Sequence, residues 1–528
     1  MKNVQLFSIK FHQSLLIIID ILNIFLENIM NQKISADMLY NYIQCPHRLY
    51  LDLFEDPDKR DPETAFMKLL WERGVDFEKQ VIAEMKQSFL DLSGFSSIEK
   101  ESRTRKALDK GINLIYSGRI STDNLVGEPD LLLKKDGDYL AGDIKSGSGL
   151  EGENETSEGK PKLHYAAQLG LYTDILQHLN YSQVKKPFIH DVHGRDIIYD
   201  LEQPIGKRNR ESWWNTYQQT LSGVQEIIEQ KLITTPAHCS ACKLCHWRIF
   251  CLRQLILIKD LTLIPELGRK KRDILQKQIR KFTEFAKKPF LEFINGEKTI
   301  FPGIGIDTLR KYHARARLLA KIDKFAYAKN KIDFPQTDIE LFFDVETDPM
   351  RDFCYLHGFV ERHNQDPSTE KYVAFFTDNN SKKAEERAFI DAWQYIKQYF
   401  PCAVYYYSSY EKTVWKKLQQ KYPEIISKTE IESFFDSPFV IDLYGKVVKK
   451  YTEWPTFSYS IKDLAKYLGF RWRDESPSGA ESIEWYHRWL EKGKIELKER
   501  ILQYNEDDCI AMRVLLEGIK RLPVKKIN

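Results

Sequence analysis

Apolar residues recur at three- and four-residue steps through residues 36–54 and 63–88, which predicts two amphipathic helices. The period changes in "GEPDLLLKKDGDYLAGDIKSG", residues 127–147. Two short runs there flank Asp136-Gly137, the chemistry of a two-residue type I′ turn, because both residues tolerate positive φ. "LIYSGRI" upstream predicts a neighbouring strand. The polar stretch "SGSGLEGENETSEGKPK" has neither period and predicts a mobile loop. Helical spacing returns in "LHYAAQLGLYTDILQHL", in residues 205–232, and through residues 256–330. From residue 338 strands dominate: "DIELFFDVETDP", "YLHGFVER" and "KYVAFFTD". A strand then a helix follow in "AVYYYSSYEKTVWKKL", and "LQYNEDDCIAMRVLLEGI" closes the chain as a helix. Strands first and alternating helices afterwards predict a mixed α/β unit.

The hairpin carries the first candidate chemistry. Counting outward from the turn places Asp130 opposite Asp143, with Cβ atoms about 5 Å apart. Two carboxylates at that separation repel unless a proton or cation lies between them. Lys145 shares their face by strand alternation and falls opposite Glu128. One reading is a solvated face with a Glu128–Lys145 pair. The other is a magnesium site, with the ammonium steadying a water or a phosphate.

Length and composition narrow the classes. A chain of 528 residues exceeds one ordinary core, and 42% hydrophobic with 29% charged residues is globular. A net charge of +3 permits a nucleic-acid partner, so any basic surface must be local. Four of the eight cysteines crowd into "HCSACKLCHWRIFC", Cys239, Cys242, Cys245 and Cys251, a spacing that favours metal ligation and a reducing, cytoplasmic compartment. "SLLIIIDILNIFL" near the N-terminus is short for a membrane span and contains Asp20, so no membrane association is expected; residues 1–29 read as an appendage, an over-extended start. No "GxxxxGK[ST]" loop is present, so any helicase motor would be a separate partner.

These residues resemble the RecB-like nucleases of the PD-(D/E)xK superfamily. Asp130 matches the family's first acid, Asp143 to Lys145 its D/E-x-K element, and "QLGLY" its Gln-x3-Tyr helix motif through Gln168 and Tyr172. "RGVDFE" resembles the first helix motif, which implies Glu78 as an additional metal ligand. The resemblance extends to iron–sulfur members, implying a [4Fe–4S] cluster held by Cys45, Cys242, Cys245 and Cys251. Zinc on Cys239, Cys242, Cys245 and Cys251 is the alternative, and either group would clamp the domain structurally.

The C-terminal region resembles the DnaQ-type, RNase H-like exonucleases found fused to RecB-like nucleases. "FFDVET" supplies Asp344 and Glu346, and "YNEDD" supplies Tyr504 and Asp508. The family's middle acid is expected in Asn-x-x-Phe-Asp; this chain has "YYSSYEK", with Glu411 the first choice and Asp442 the second. The glycine turns "IPELG" and "FPGIG", each ahead of a basic helix, resemble a degenerate helix–hairpin–helix region. The expected architecture is an appendage (1–29), a restriction-endonuclease-like domain (30–255), a helical linker (256–330) and an RNase H-like domain (331–528). The expected function is Mg²⁺- or Mn²⁺-dependent hydrolysis of nucleic acid, DNA before RNA and as an exonuclease, in DNA repair, with a helicase or repair protein as partner. A binding scaffold or a zinc-bearing interaction protein is the alternative.

Overall fold

A computed structural model describes residues 32–154, 157–206 and 210–525; the expected appendage lies outside them. The chain divides into two compact units. One holds Leu70–Pro236 and Ser240–Phe250 with the described residues up to Glu63; the other holds Thr64–Leu69, Ala237–Cys239 and everything from Cys251 on.

The first unit is built on a six-stranded sheet whose strands lie in chain order: β1 (Leu90–Asp91), β2 (Leu114–Tyr116), β3 (Leu131–Lys135), β4 (Asp138–Ile144), β5 (Phe188–His190) and β6 (Asp196–Ile198). The β3–β4 hairpin has the expected register, Lys135 opposite Asp138, and both turn residues take positive φ, 51° at Asp136 and 95° at Gly137. Helix α1 (Ala65–Glu84) packs on one side of the sheet through Phe77, Val81 and Ile82. Helix α2 (Leu163–His178) contributes Leu169, Leu171, Tyr172 and Ile175 to the main core.

Three expectations are corrected. The single helix over 36–54 is two, Ala36–Gln44 and Pro46–Phe54, because the residue before a proline is pushed out of the helical region; Cys45 sits at φ −167°, ψ 116°. "LIYSGRI" breaks at Ser117 (φ 56°), and Ile120–Ser121 joins a separate sheet with Leu125–Gly127. The stretch expected as a mobile loop pairs as antiparallel strands, Leu150–Asn154 with Ser157–Pro161, and Lys160 lies 3.0 Å from Glu151.

The second unit includes a helical segment that runs from Cys251, within helix α3 (Arg248–Ile258), to helix α4 (Ile306–Leu319) and has its own apolar core, including Leu255, Ile264, Leu275, Phe285, Phe293 and Leu309. Arg315 of α4 is fully buried and bonds the equally buried Glu453 at 2.7 Å. Glu453 lies in a two-stranded ribbon, Thr452–Glu453 paired with Tyr327–Ala328. The unit also holds a five-stranded sheet of order β9-β8-β7-β10-β11: β7 (Ile339–Asp348), β8 (Phe353–His363), β9 (Asp366–Phe376), β10 (Ala403–Tyr406) and β11 (Val440–Asp442). Strands β7, β8 and β9 run antiparallel, while β10 and β11 add in parallel to β7. Helices α5 (Tyr410–Lys421), α6 (Ile461–Tyr467) and α7 (Ile495–Lys520) complete what positions the second site.

Candidate active sites

At the open end of the β3–β4 hairpin, strand pairing stops at Leu131–Gly142 and leaves Asp130 in a bend facing Asp143. Asp130 is anchored by its own backbone neighbourhood: Oδ2 accepts from the Ile144 N–H at 2.7 Å. Asp143 is 1% exposed, and its Oδ2 lies 3.0 Å from Lys145 Nζ. Burial, then the Asp143 charge, pushes the Asp130 carboxyl up to about 8. Burial alone would lower the Lys145 ammonium, but Asp143 and Asp130 outweigh it and hold it above its ordinary range. Glu78 accepts from the Tyr116 hydroxyl at 2.9 Å, and its charge also raises Asp130.

Glu128 does not join this cluster. Its chain segment has already left the sheet, and its carboxylate pairs with Arg119 and, at 3.6 Å, Lys100. The Glu128–Lys145 pair is therefore not formed.

Gln168 and Tyr172 lie one turn apart on α2, and Gln168 Nε2 donates to the Tyr172 hydroxyl at 3.1 Å. Tyr172 is 3% exposed, held against Gly127, where a Cβ would come within 2.5 Å of its ring.

The second group forms on β7, where alternation puts Asp344 and Glu346 on one face. Helix α7 adds Asp508, and one ligand oxygen from each of the three lies within 4.8 Å of the others. Burial first, then the neighbouring carboxylates, raises Asp344 well above its usual range and Glu346 to about 8. Burial also raises Asp508, against the pull of the Lys462 ammonium. Glu411 enters from the first turn of α5, after a left-handed Ser408 (φ 94°). It is 3% exposed and its Oε2 has no hydrogen-bond partner. Burial, then Asp442 and Asp508, raises it, but it stands outside the three-acid group. Asp442 is committed elsewhere, its Oδ1 accepting from the Ser408 and Gly445 N–H groups at 3.0 and 2.8 Å.

Several side chains that set this geometry escaped the sequence reading. Asn505 Nδ2 donates to Asp344 Oδ2 at 2.7 Å, and its Oδ1 accepts from Tyr372 at 2.8 Å. Trp472 Nε1 donates to Asp508 Oδ1 at 2.7 Å. Lys462 Nζ donates to the Tyr504 hydroxyl at 3.0 Å and to the Pro477 carbonyl at 2.6 Å. With an oxygen lone pair so occupied, the phenol proton is directed at Asp508, to which Tyr504 also bonds. Asn505 had a signal, three residues before Asp508 on the same helical face.

Both groups are built of hard oxygen donors whose mutual repulsion a divalent cation relieves, the donor set that suits Mg²⁺ or Mn²⁺. Among the described residues, Asp344, Glu346 and Asp508 are the one group of three or more ligand atoms at metal-holding distance. No such group of cysteines is found among the described residues, and the iron–sulfur cluster stays an expectation of the sequence. Instead Asp52 fastens the cysteine segment to the helix after Cys45: its Oδ1 bonds His246 Nε2 at 2.6 Å and accepts from Trp247 Nε1 at 2.9 Å.

Residues 34–252 match the family model of the PD-(D/E)XK nuclease superfamily. Residues 341–519 match that of the RNase_H superfamily. The fold is thus a PD-(D/E)XK nuclease domain and an RNase H-like domain in one chain, and both superfamilies are nucleases acting on nucleic-acid phosphodiester bonds. No curated protein matches the chain. No described helix is long and apolar enough to cross a membrane.

Proposed function

We propose that the protein is a metal-dependent exonuclease that hydrolyses DNA at the Asp130–Asp143–Lys145 site, as a cytoplasmic repair enzyme working beside a separate helicase or repair partner. The observation that carries the reading is the buried Asp143 held 3.0 Å from Lys145, with Asp130 pinned opposite. Asp130 and Asp143, with Glu78 beside them, would hold Mg²⁺ or Mn²⁺, which supplies positive charge to the phosphate and acidity to a bound water. Lys145, 3.0 Å from Asp143, would help activate water and stabilise the charge that develops on the phosphate. Gln168, steadied by Tyr172, positions the substrate strand. Substituting Lys145→Ala should abolish cleavage and leave nucleic-acid binding nearly intact; unchanged cleavage would remove the site.

A second reading concerns the RNase H-like unit. There Asp344, Glu346 and Asp508, with Glu411, would hold the ions, and Tyr504 would orient water. Glu411 standing apart from the three acids favours a slow or silent unit that binds nucleic acid as a scaffold. The [4Fe–4S] or zinc clamp on the cysteines is a proposal resting on their spacing; anaerobically purified protein would be brown with iron and colourless with zinc.

A further inference from the structure

Helix α1 packs on the first unit's sheet through Phe77, Val81 and Ile82. Its face continues toward the N-terminus, past Glu78, as Gly74 and Trp71. Trp71, Gly74 and Glu78 stand at i, i+3 and i+7, so they lie along one side of the helix. Trp71 is 69% exposed. A single exposed tryptophan needs no explanation, but Gly74 supplies an independent one. Glycine in a helix interior is less stable than alanine, and neither backbone nor packing asks for it here. Its φ is not positive, and a Cβ would meet nothing within 4 Å. The chain keeps an open notch between a bare indole and an acid within electrostatic reach of Asp130.

The geometry points to a base-stacking subsite: Trp71 receives an unpaired nucleobase of the bound strand, and Gly74 leaves room for it to approach the helix. The inference rests on the proposed function, because it supposes that the strand enters at the Asp130–Asp143 site. An indole face stacks any base, and only a base that is not paired can turn onto it, so the subsite selects single-stranded nucleic acid without reading sequence. A segment of another protein on this face is the other outcome, and it would show no dependence on bases.

The test uses the full-length chain carrying Lys145→Ala, which holds the strand uncut, and labelled single-stranded DNA and RNA with one abasic position moved along the strand. One position, or two adjacent ones, should weaken binding about tenfold, the range expected for losing one stacked base. Adding Trp71→Ala should make binding insensitive to that position, and Trp71→Phe should retain most of the dependence. Gly74→Ala should weaken binding while hydrogen exchange in residues 65–84 becomes no faster, a combination that a merely structural glycine cannot give. An abasic cost that persists in Trp71→Ala, or Gly74→Ala binding as before, overturns the subsite and leaves the nuclease reading standing. Absence of strand binding in the Lys145→Ala chain and in the wild type takes both down together.

Discussion

Replacing Gly358 by alanine sets a methyl group against the residue that holds Asp344. Gly358 lies opposite Asp344 in the β7–β8 register, and its Cβ would fall 1.6 Å from Asn505 Oδ1 and 2.8 Å from its Cγ. Asn505 is fully buried, so its amide has nowhere to swing that keeps both bonds. The bond to Asp344 and the bond from Tyr372 are lost together. A hydrogen bond contributes about 0.5–1.5 kcal/mol, so losing both costs roughly 1–3 kcal/mol locally. Hydrogen exchange read by mass spectrometry over residues 354–360 and 501–509 measures it as a local opening free energy, which suits a chain too large for two-state unfolding. Asn505→Ala removes the atom the methyl group strikes, so Gly358→Ala should add little on top of it. Strict additivity of the two substitutions would refute the steric argument.

Three further expectations follow from the same geometry. Lys462→Met removes a positive charge that faces Glu346 and Asp508; in an Asp143→Ala background it should bind Mn²⁺ more tightly while slowing any residual cleavage, and weaker Mn²⁺ binding would contradict the placement. Burial holds the His357 imidazole down at about 3, with Nδ1 accepting from Trp415 Nε1 at 3.2 Å. Because the folded pKa lies below the ordinary 6.5, the unfolded chain binds the extra proton between them. Stability of this unit is then complete above about pH 6.5 and falls toward pH 3 by about 1.4 kcal/mol per unit; a His357→Leu variant whose urea midpoint keeps the wild-type slope between pH 6 and 4.5 would refute this. Asp52→Ala strips Trp247 and His246 of their shared acceptor, so exchange in residues 240–250 should quicken by at least tenfold, about 1.4 kcal/mol or more; unchanged protection would mean that Asp52 is not the fastener.

What could be read in the sequence was local. Asp136-Gly137 dictates its turn, the turn dictates the register, and the register places Asp130 opposite Asp143. Alternation likewise predicts Asp344 and Glu346 on one face. Glu128 was misplaced because counting assumes that a strand continues, whereas this chain leaves one sheet for another between Gly127 and Leu131. The polar run at 146–162 reads as a loop because its pairing draws on backbone bonds rather than on an apolar face. Lys462, Trp472 and Asn505 were invisible as a set: they come from α6, from the loop after it and from α7, and only the packing of α6 on α7 and of α7 beside β7 gathers them at the acids.

The most direct test of the account is cleavage of end-labelled single-stranded DNA with Mg²⁺ or Mn²⁺ by anaerobically purified wild type, Asp143→Ala and Asp344→Ala. The account predicts that Asp143→Ala loses cleavage and that Asp344→Ala keeps most of it. Cleavage that survives Asp143→Ala and disappears in Asp344→Ala would move the chemistry to the RNase H-like unit and contradict the central claim.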